Sequence, residues 1–439
     1  MLLKHLVASP GSLLVQDTAA LPVVSWFGAW VRLTSTSKVA KYLKGHTGSP
    51  QCLDWHPSDP HILASCGEDG ESGGEFCVWN TEDLTLLFRN PLKFPGNSLA
   101  WLWCEGNIGL GFLFIGHGCI VQRFCWEGGN VGETHFKTTV AYTEDDVSSL
   151  CIHMTLPLLV IADDSGAITL VNTSGDCSVV RVLKKGGHTS LATAALFLPV
   201  ITTMNTIISG GCDEQLLIWD GGTEGARGPL LATSVSALLE PIPKGKESCE
   251  EDAVTDEDFL EKCIRESEAE REKAEEVEGG GGFNPNPPFI HALVHGPSPG
   301  FVGVALGSGC LAVVCIHTRT DGGRGGGTSR KKKPCRPHLA LHWASKEAHS
   351  SAICGLATVG TLLVSAGNDG MIKVWKWSEV IKGRAVTEPP PIPFRAWKYV
   401  GMGGKTKKIN FLSGGKCSRT LEFLLAVADT SKVIQLFSL

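Results

Sequence analysis

The sequence predicts an all-β fold, a seven-bladed β-propeller in which an N-terminal strand closes the last blade. Three observations carry this expectation. Residues 45–79, 187–220 and 349–375 repeat one pattern: a histidine, an apolar triplet ending in serine, a turn holding aspartate, then alternating apolar residues ending in tryptophan. The serine precedes the aspartate by four positions in each copy, as Ser65–Asp69, Ser209–Asp213 and Ser365–Asp369. Four weaker segments fill the intervals and bring the units to seven, and such self-similarity marks a repeat architecture.

The first repeat opens at Gly45-His46. Its Asp69–Trp79 gap is four longer than the six positions of Asp213–Trp219 and Asp369–Trp375, so residues 71–74 read as a hairpin insertion. The second unit, 98–126, carries Trp101, Trp103 and Trp126, rings suited to packing between strands. The third, 147–172, has Ser165-Gly166 at the turn and Val171 in the place of tryptophan. The fourth and sixth are the strong copies already given. The fifth, 289–316, has Ser308-Gly309 and Val314. The seventh, 407–438, has Ser431 and Phe437 and ends on its third strand. The segment Val39–Lys44 is placed to supply the missing outer strand, and closure of that kind removes an exposed sheet edge.

The strong copies imply a buried polar chain in three blades: His46, Ser65, Asp69 and Trp79; His188, Ser209, Asp213 and Trp219; His349, Ser365, Asp369 and Trp375. A chain of this kind is favourable when every member is satisfied, and it then fixes one geometry. The other four blades are expected to rely on apolar packing. On this reading the propeller spans 37–439 and residues 1–36 are an extension, in which residues 24–33, VSWFGAWVRL, are able to form an added strand.

Three segments interrupt the strand pattern. Residues 240–283 are acidic, with Thr255 as a helix N-cap, Asp258 at the capping-box position and a stop at the Gly279–Gly282 run. They read as a solvated, partly helical insertion or as an acidic contact for a basic partner. Residues 319–337 are basic around Arg330, Lys331, Lys332 and Lys333, and read as a flexible loop or a nuclear-localisation signal. The two insertions flank the fifth blade and are placed to screen each other. Residues 385–393 are Pro-rich, a stiff connector.

Composition narrows the function classes. The formal net charge of the 439 residues is −6, which lacks the basic footprint of a nucleic-acid binder. The 16 cysteines are scattered with no Cys-x-x-Cys pair, as expected of buried thiols in a reducing compartment, the nucleus and/or the cytoplasm. No apolar run reaches transmembrane length and no clean signal peptide opens the chain. No phosphate loop and no nucleophile elbow occur, so no catalytic residue and no cofactor are expected. His291 and His295, like His338 and His342, are four apart; on a strand that is about 13 Å, too far to share one zinc ion. A non-catalytic interaction scaffold, a monomer within a larger complex, is the expected class.

The repeated residues resemble the WD40 family, whose blades carry a His–Ser–Asp–Trp hydrogen-bond network. The order of features is similar to that of the WD repeat-containing protein 53 family in its plant-type members: VSSLCI…IADDSGAITLVN, a repeat ending in IWD, an insertion, NPPFIHALV, a basic insertion, SAGNDGMIKVWKW and a final LLAVADTSKVIQLFSL. The similarity covers roughly residues 38–439. It implies a substrate receptor of a cullin-4 RING ubiquitin ligase, bound through the damaged-DNA-binding adaptor. A second reading is a chromatin module that holds basic histone peptides at the central opening. Receptors of the first kind often carry a Trp-Asp-x-Arg signature. The matching places here read Trp79-Asn80-Thr81-Glu82, Trp219-Asp220-Gly221-Gly222 and Trp375-Lys376-Trp377-Ser378, without the arginine.

Overall fold

In the computed structural model, described for residues 41–103, 110–127, 138–198, 205–222, 228–240, 286–318, 337–382, 392–402, 404–416 and 423–439, seven antiparallel sheets of four strands follow one another. The sheets are blades 1 to 7, with strands a to d from first to last. Strand a begins at Pro50, Gly96, Val147, Ala192, Ile290, Ile353 and Ile409 in turn. Each strand a touches strand a of the next blade, and that of blade 7 touches that of blade 1, so the first strands form the inner wall of a closed ring.

The closing strand is Lys41–Lys44. It pairs antiparallel with Val433–Ser438 as the outer strand d of blade 7, with Leu43 opposite Ile434. The first and last described strands therefore meet within one sheet. The closing strand covers the outer side of strand c, Val433–Ser438, which would otherwise be a free edge.

Alternation along the strands explains where the core lies. A blade has two apolar faces, because each strand sends side chains alternately to both sides. Seven apolar clusters result, one at each junction between neighbouring blades. Leu43, Leu53, Trp79 and Leu436 fill the junction of blades 7 and 1. Trp101 and Trp126 meet edge to face at 5.7 Å in the junction of blades 1 and 2; Trp103 has its side chain outside the described residues. Two short helices, α1 (Val235–Leu239) and α2 (Trp377–Lys382), rest on strand d of blade 5, Pro337–Ser345.

In an antiparallel four-strand sheet the d–a and b–c turns share one face of the ring and the a–b and c–d turns share the other. The acidic insertion leaves after α1 and returns before strand a of blade 5, on the d–a face. The basic insertion lies between strand c, Leu311–Thr318, and strand d of blade 5, on the c–d face. The two insertions flank the fifth blade from opposite faces of the ring, and the inserted residues themselves lie outside the described residues. The helix expected after Thr255, Arg330 to Lys333, the extension 1–36 and the segment 24–33 lie outside the described residues, as does most of 385–393. Among the described residues no helix is long and apolar enough to cross a membrane.

Candidate functional site: polar relays and inter-blade bonds

Blades 4 and 6 each hold a four-residue relay. In blade 4 the Trp219 indole N–H donates to Ser209 Oγ at 2.8 Å, Ser209 Oγ is 2.8 Å from His188 Nε2, and His188 Nδ1 is 2.9 Å from Asp213 Oδ1. Tryptophan is a donor only, so the order is fixed: indole N–H to serine oxygen, serine O–H to Nε2, and Nδ1–H to the carboxylate. In blade 6 Trp375, Ser365, His349 and Asp369 repeat it at 3.0, 2.9 and 3.1 Å. The residue after each histidine adds its backbone N–H to the same carboxylate, Thr189 to Asp213 and Ser350 to Asp369. Burial pushes the His188 imidazole below its ordinary pKa against the pull of Asp213, which keeps the ring neutral for this order of donors.

Blade 1 departs from the expected set. Trp79 Nε1 donates to Ser65 Oγ at 2.7 Å, and Ser65 Oγ lies 2.6 Å from His46 Nε2. His46 Nδ1, however, meets Glu75 Oε1 at 2.9 Å, and Thr47 N donates to the same oxygen at 2.6 Å. Asp69 is not in the relay. Its Oδ1 accepts from the Glu71 and Gly73 amides and caps the lengthened b–c turn. The four-residue insertion carries Asp69 out of reach, and a glutamate from the start of strand c, one methylene longer, takes its place. Burial pushes Glu75 up, but the bonds from His46 and Thr47 outweigh it and bring its carboxyl to about 2. The insertion was legible as a longer Asp69–Trp79 gap, and a glutamate four before the tryptophan was the available signal.

His46, Glu75 and Cys77 bring three ligand-type atoms within 4.8 Å of one another. Burial, with Glu75 alongside, pushes the Cys77 thiol up to about 12, and His46 Nδ1 is already engaged. At neutral pH the trio is a hydrogen-bond network with a protonated thiol. His291 sits at the register shift of strand a in blade 5, and His295 is the last residue of that strand. His338 pairs across strands with His317, while His342 bonds the Ile381 carbonyl of α2 at 2.7 Å.

A feature that period-two reading does not foresee is a bulge at the second position of strand a in every blade. Three of the bulged residues carry polar side chains that reach the next blade. Ser148 Oγ donates to Ala192 O at 2.8 Å, Thr193 Oγ1 donates to Ile290 O, and Asn410 Nδ2 donates to Pro50 O at 2.9 Å. Each acceptor is the first residue of the following strand a. Further along the strands, indole N–H groups bridge in the opposite sense, Trp55 to Ser413 O and Trp101 to Asp54 O, both at 3.3 Å. The blades expected to rest on apolar packing alone therefore also hold polar bonds. Blade 7 adds Asp429, fully buried, which accepts from the Tyr399 hydroxyl at 2.7 Å and from Ser431 N.

Asp54 stands on strand a of blade 1. Burial raises its carboxyl to about 7, against the backbone N–H bonds of Trp101 and Trp55. The folded protein thus holds this proton more tightly than the unfolded chain does, so the residue costs stability as pH rises from about 4 to about 7. An asparagine at this position keeps the acceptor oxygen for Trp101 N and removes the titration. Asp54→Asn is expected to match the parent near pH 4 and to be more stable by about 1–3 kcal/mol at pH 8, since partial exposure screens some of the cost. Urea melts at the two pH values check this; a constant difference would refute it.

Comparison with family models fits this geometry. The WD domain, G-beta repeat model matches residues 37–71 and 343–376, which contain the start of blade 1 and much of blade 6. These matches and the seven-bladed ring define a repeat propeller and support the WD40 repeat family. WD40 propellers typically bind proteins and are generally scaffolds without catalysis.

Proposed function

We propose that this protein is a recruiting scaffold, a receptor that couples a client protein to a cullin-4 RING ubiquitin ligase through the damaged-DNA-binding adaptor. The observation that carries the scaffold reading is the closed ring itself. Its cores are sealed between blades while two faces of turns remain for partners. The ligase reading rests on the resemblance to the WD repeat-containing protein 53 family in plants. An arginine also stands at one of the relevant turns. Arg181 of blade 3 donates from Nη1 to the carbonyl of Asp220, which follows Trp219, at 3.4 Å. It comes from the neighbouring blade and not from the Trp-Asp-x-Arg position. The protein acts in the nucleus and/or the cytoplasm on this reading. Affinity capture of the full chain at near-endogenous level is expected to recover the adaptor. A clean failure overturns the ligase role and leaves the scaffold.

A second reading, a histone-peptide reader, is favoured by one feature. Asp145, Asp146, Asp163 and Asp164 gather on the d–a and b–c turns of blade 3, and burial with these neighbours raises the Asp164 carboxyl. Binding to basic histone-tail peptides on an array, lost in Asp145→Asn/Asp146→Asn, is the outcome that supports it. An array with no binding removes it.

A further inference from the structure

We propose that Cys315, His317 and His338 form a zinc site at the neck of the basic insertion, a site separate from the recruiting role.

The hairpin of strands c and d in blade 5 brings the three together. Cys315 and His317 are two apart on strand c, Leu311–Thr318, so their side chains point to one face. His338 stands directly opposite His317 on strand d, and Ala340 directly opposite Cys315. Residues paired in this way share a face, with Cβ atoms about 5 Å apart. Three corners of a square on one sheet face therefore carry ligand-type side chains. The fourth carries a methyl group, which leaves room between them. The Cys315 sulfur already lies 3.9 Å from His317 Nδ1. In a tetrahedral site with Zn–S of about 2.3 Å and Zn–N of about 2.0–2.1 Å, sulfur and nitrogen stand about 3.6 Å apart. A small rotation of the exposed ring closes that difference.

His317 and His338 are both exposed, and apart from the Cys315 contact neither side chain has a hydrogen bond or an ion pair among the described residues. The trio of blade 1 differs on this point. His46 is held between Ser65 and Glu75, so both of its ring nitrogens are engaged. His338 keeps both of its nitrogens for an ion. His342, four residues on, is not part of the set, because its Nε2 lies 2.7 Å from the Ile381 carbonyl.

The donor set selects the metal. One thiolate and two imidazoles suit zinc, whereas magnesium and calcium take oxygen ligands. Binding turns the Cys315 thiol into a thiolate and releases its proton to solvent. Three protein ligands leave the fourth corner of the tetrahedron to water. The place selects the role. Thr318 and Pro337 form the last pair of this hairpin, and residues 319–336 connect them. An ion on the pair just inside holds both ends of that connection together and so removes loop-closure entropy.

The test titrates zinc, and cobalt as its coloured substitute, into the full chain stripped of metal and kept reduced. One equivalent of zinc is expected to bind with a Kd of about 1 μM or tighter, and magnesium not to bind at the same concentration. Cobalt is expected to give a thiolate charge-transfer band that Cys315→Ser removes. His317→Gln and His338→Gln, both at exposed positions, each weaken zinc at least about tenfold while the circular dichroism stays that of the parent. Zinc slows amide exchange along Leu311–Thr318 and Pro337–Ser345 in the parent and not in His338→Gln. His342→Gln and Cys77→Ser keep the affinity of the parent. A chain that takes up no stoichiometric zinc overturns the proposal. So does zinc held undiminished in His317→Gln and His338→Gln, or a cobalt complex without thiolate. Loss of the ion in Cys77→Ser alone overturns it as well and assigns the metal to blade 1.

Discussion

A chain that begins at Gly45, without the closing strand, is expected to lose the cooperative fold of blade 7 and to aggregate on expression. Leu43 is fully buried among Leu53, Leu63, Trp79 and Leu436, at the one junction where the last blade meets the first. Removing Lys41–Lys44 deletes that side chain and leaves Val433–Ser438 as an apolar edge with a row of free N–H and C=O groups. The full chain with Leu43→Asp isolates the packing part. A carboxylate there must be desolvated without a partner, a change in the class that costs about 4 kcal/mol or more. Tyr42→Asp, one residue away and exposed, is the control and shifts stability by less than about 1 kcal/mol. Hydrogen exchange should show Ile434–Phe437 losing protection first in Leu43→Asp. A variant that melts within a degree or two of the parent would mean that the ring holds at Ser49, Trp55 and Asn410 alone. Those three already bond across this junction to Asp429 O, Ser413 O and Pro50 O.

How much of this was legible follows from what each signal encodes. The ring, its number of blades and its closure follow from repeated spacings, because a blade is one hairpin pair written seven times. The relays of blades 4 and 6 were legible because Asp213 and Asp369 sit on b–c turns of equal length, each four residues after its serine. The relay of blade 1 was misread at one residue, since a b–c hairpin four residues longer displaces Asp69 while leaving the serine and tryptophan in register. The belts of Ser148, Thr193 and Asn410 were not legible. Their role depends on a bulge that gives strand a one extra residue, and alternation alone assigns such a residue to the wrong face. The left-handed conformation of Leu84, at φ +59° in the c–d turn of blade 1, is likewise a backbone property with no trace in hydropathy. The Asp429 hub was hidden because its partner, Tyr399, follows the outer strand of a different blade.

The relay of blade 1 makes the sharpest contrast between the sequence pattern and the geometry. Glu75→Ala is expected to cost about 3–5 kcal/mol, and Asp69→Ala less than about 1 kcal/mol. Removing Glu75 strips His46 Nδ1 and Thr47 N of their acceptor inside a nearly dry pocket, and leaves Arg89, 3.4 Å away, without its carboxylate. The loss then passes along the chain, because His46 orients Ser65, and Ser65 receives the Trp79 indole that seals the junction of blades 7 and 1. Removing Asp69 uncaps two amides of a turn that water can reach. The pH dependence separates them further. The Glu75 carboxyl is held near 2, below its unfolded value, so its contribution is complete above about pH 5 and fades as pH falls toward 2. The parent and Glu75→Ala should therefore converge in stability on acidification, while the Asp69→Ala difference stays small throughout. Urea midpoints at pH 7 and pH 3 read both effects. Equal losses at pH 7 would return Asp69 to the relay. A Glu75→Ala deficit that persists undiminished at pH 3 would show that the side chain acts by packing and not by its charge.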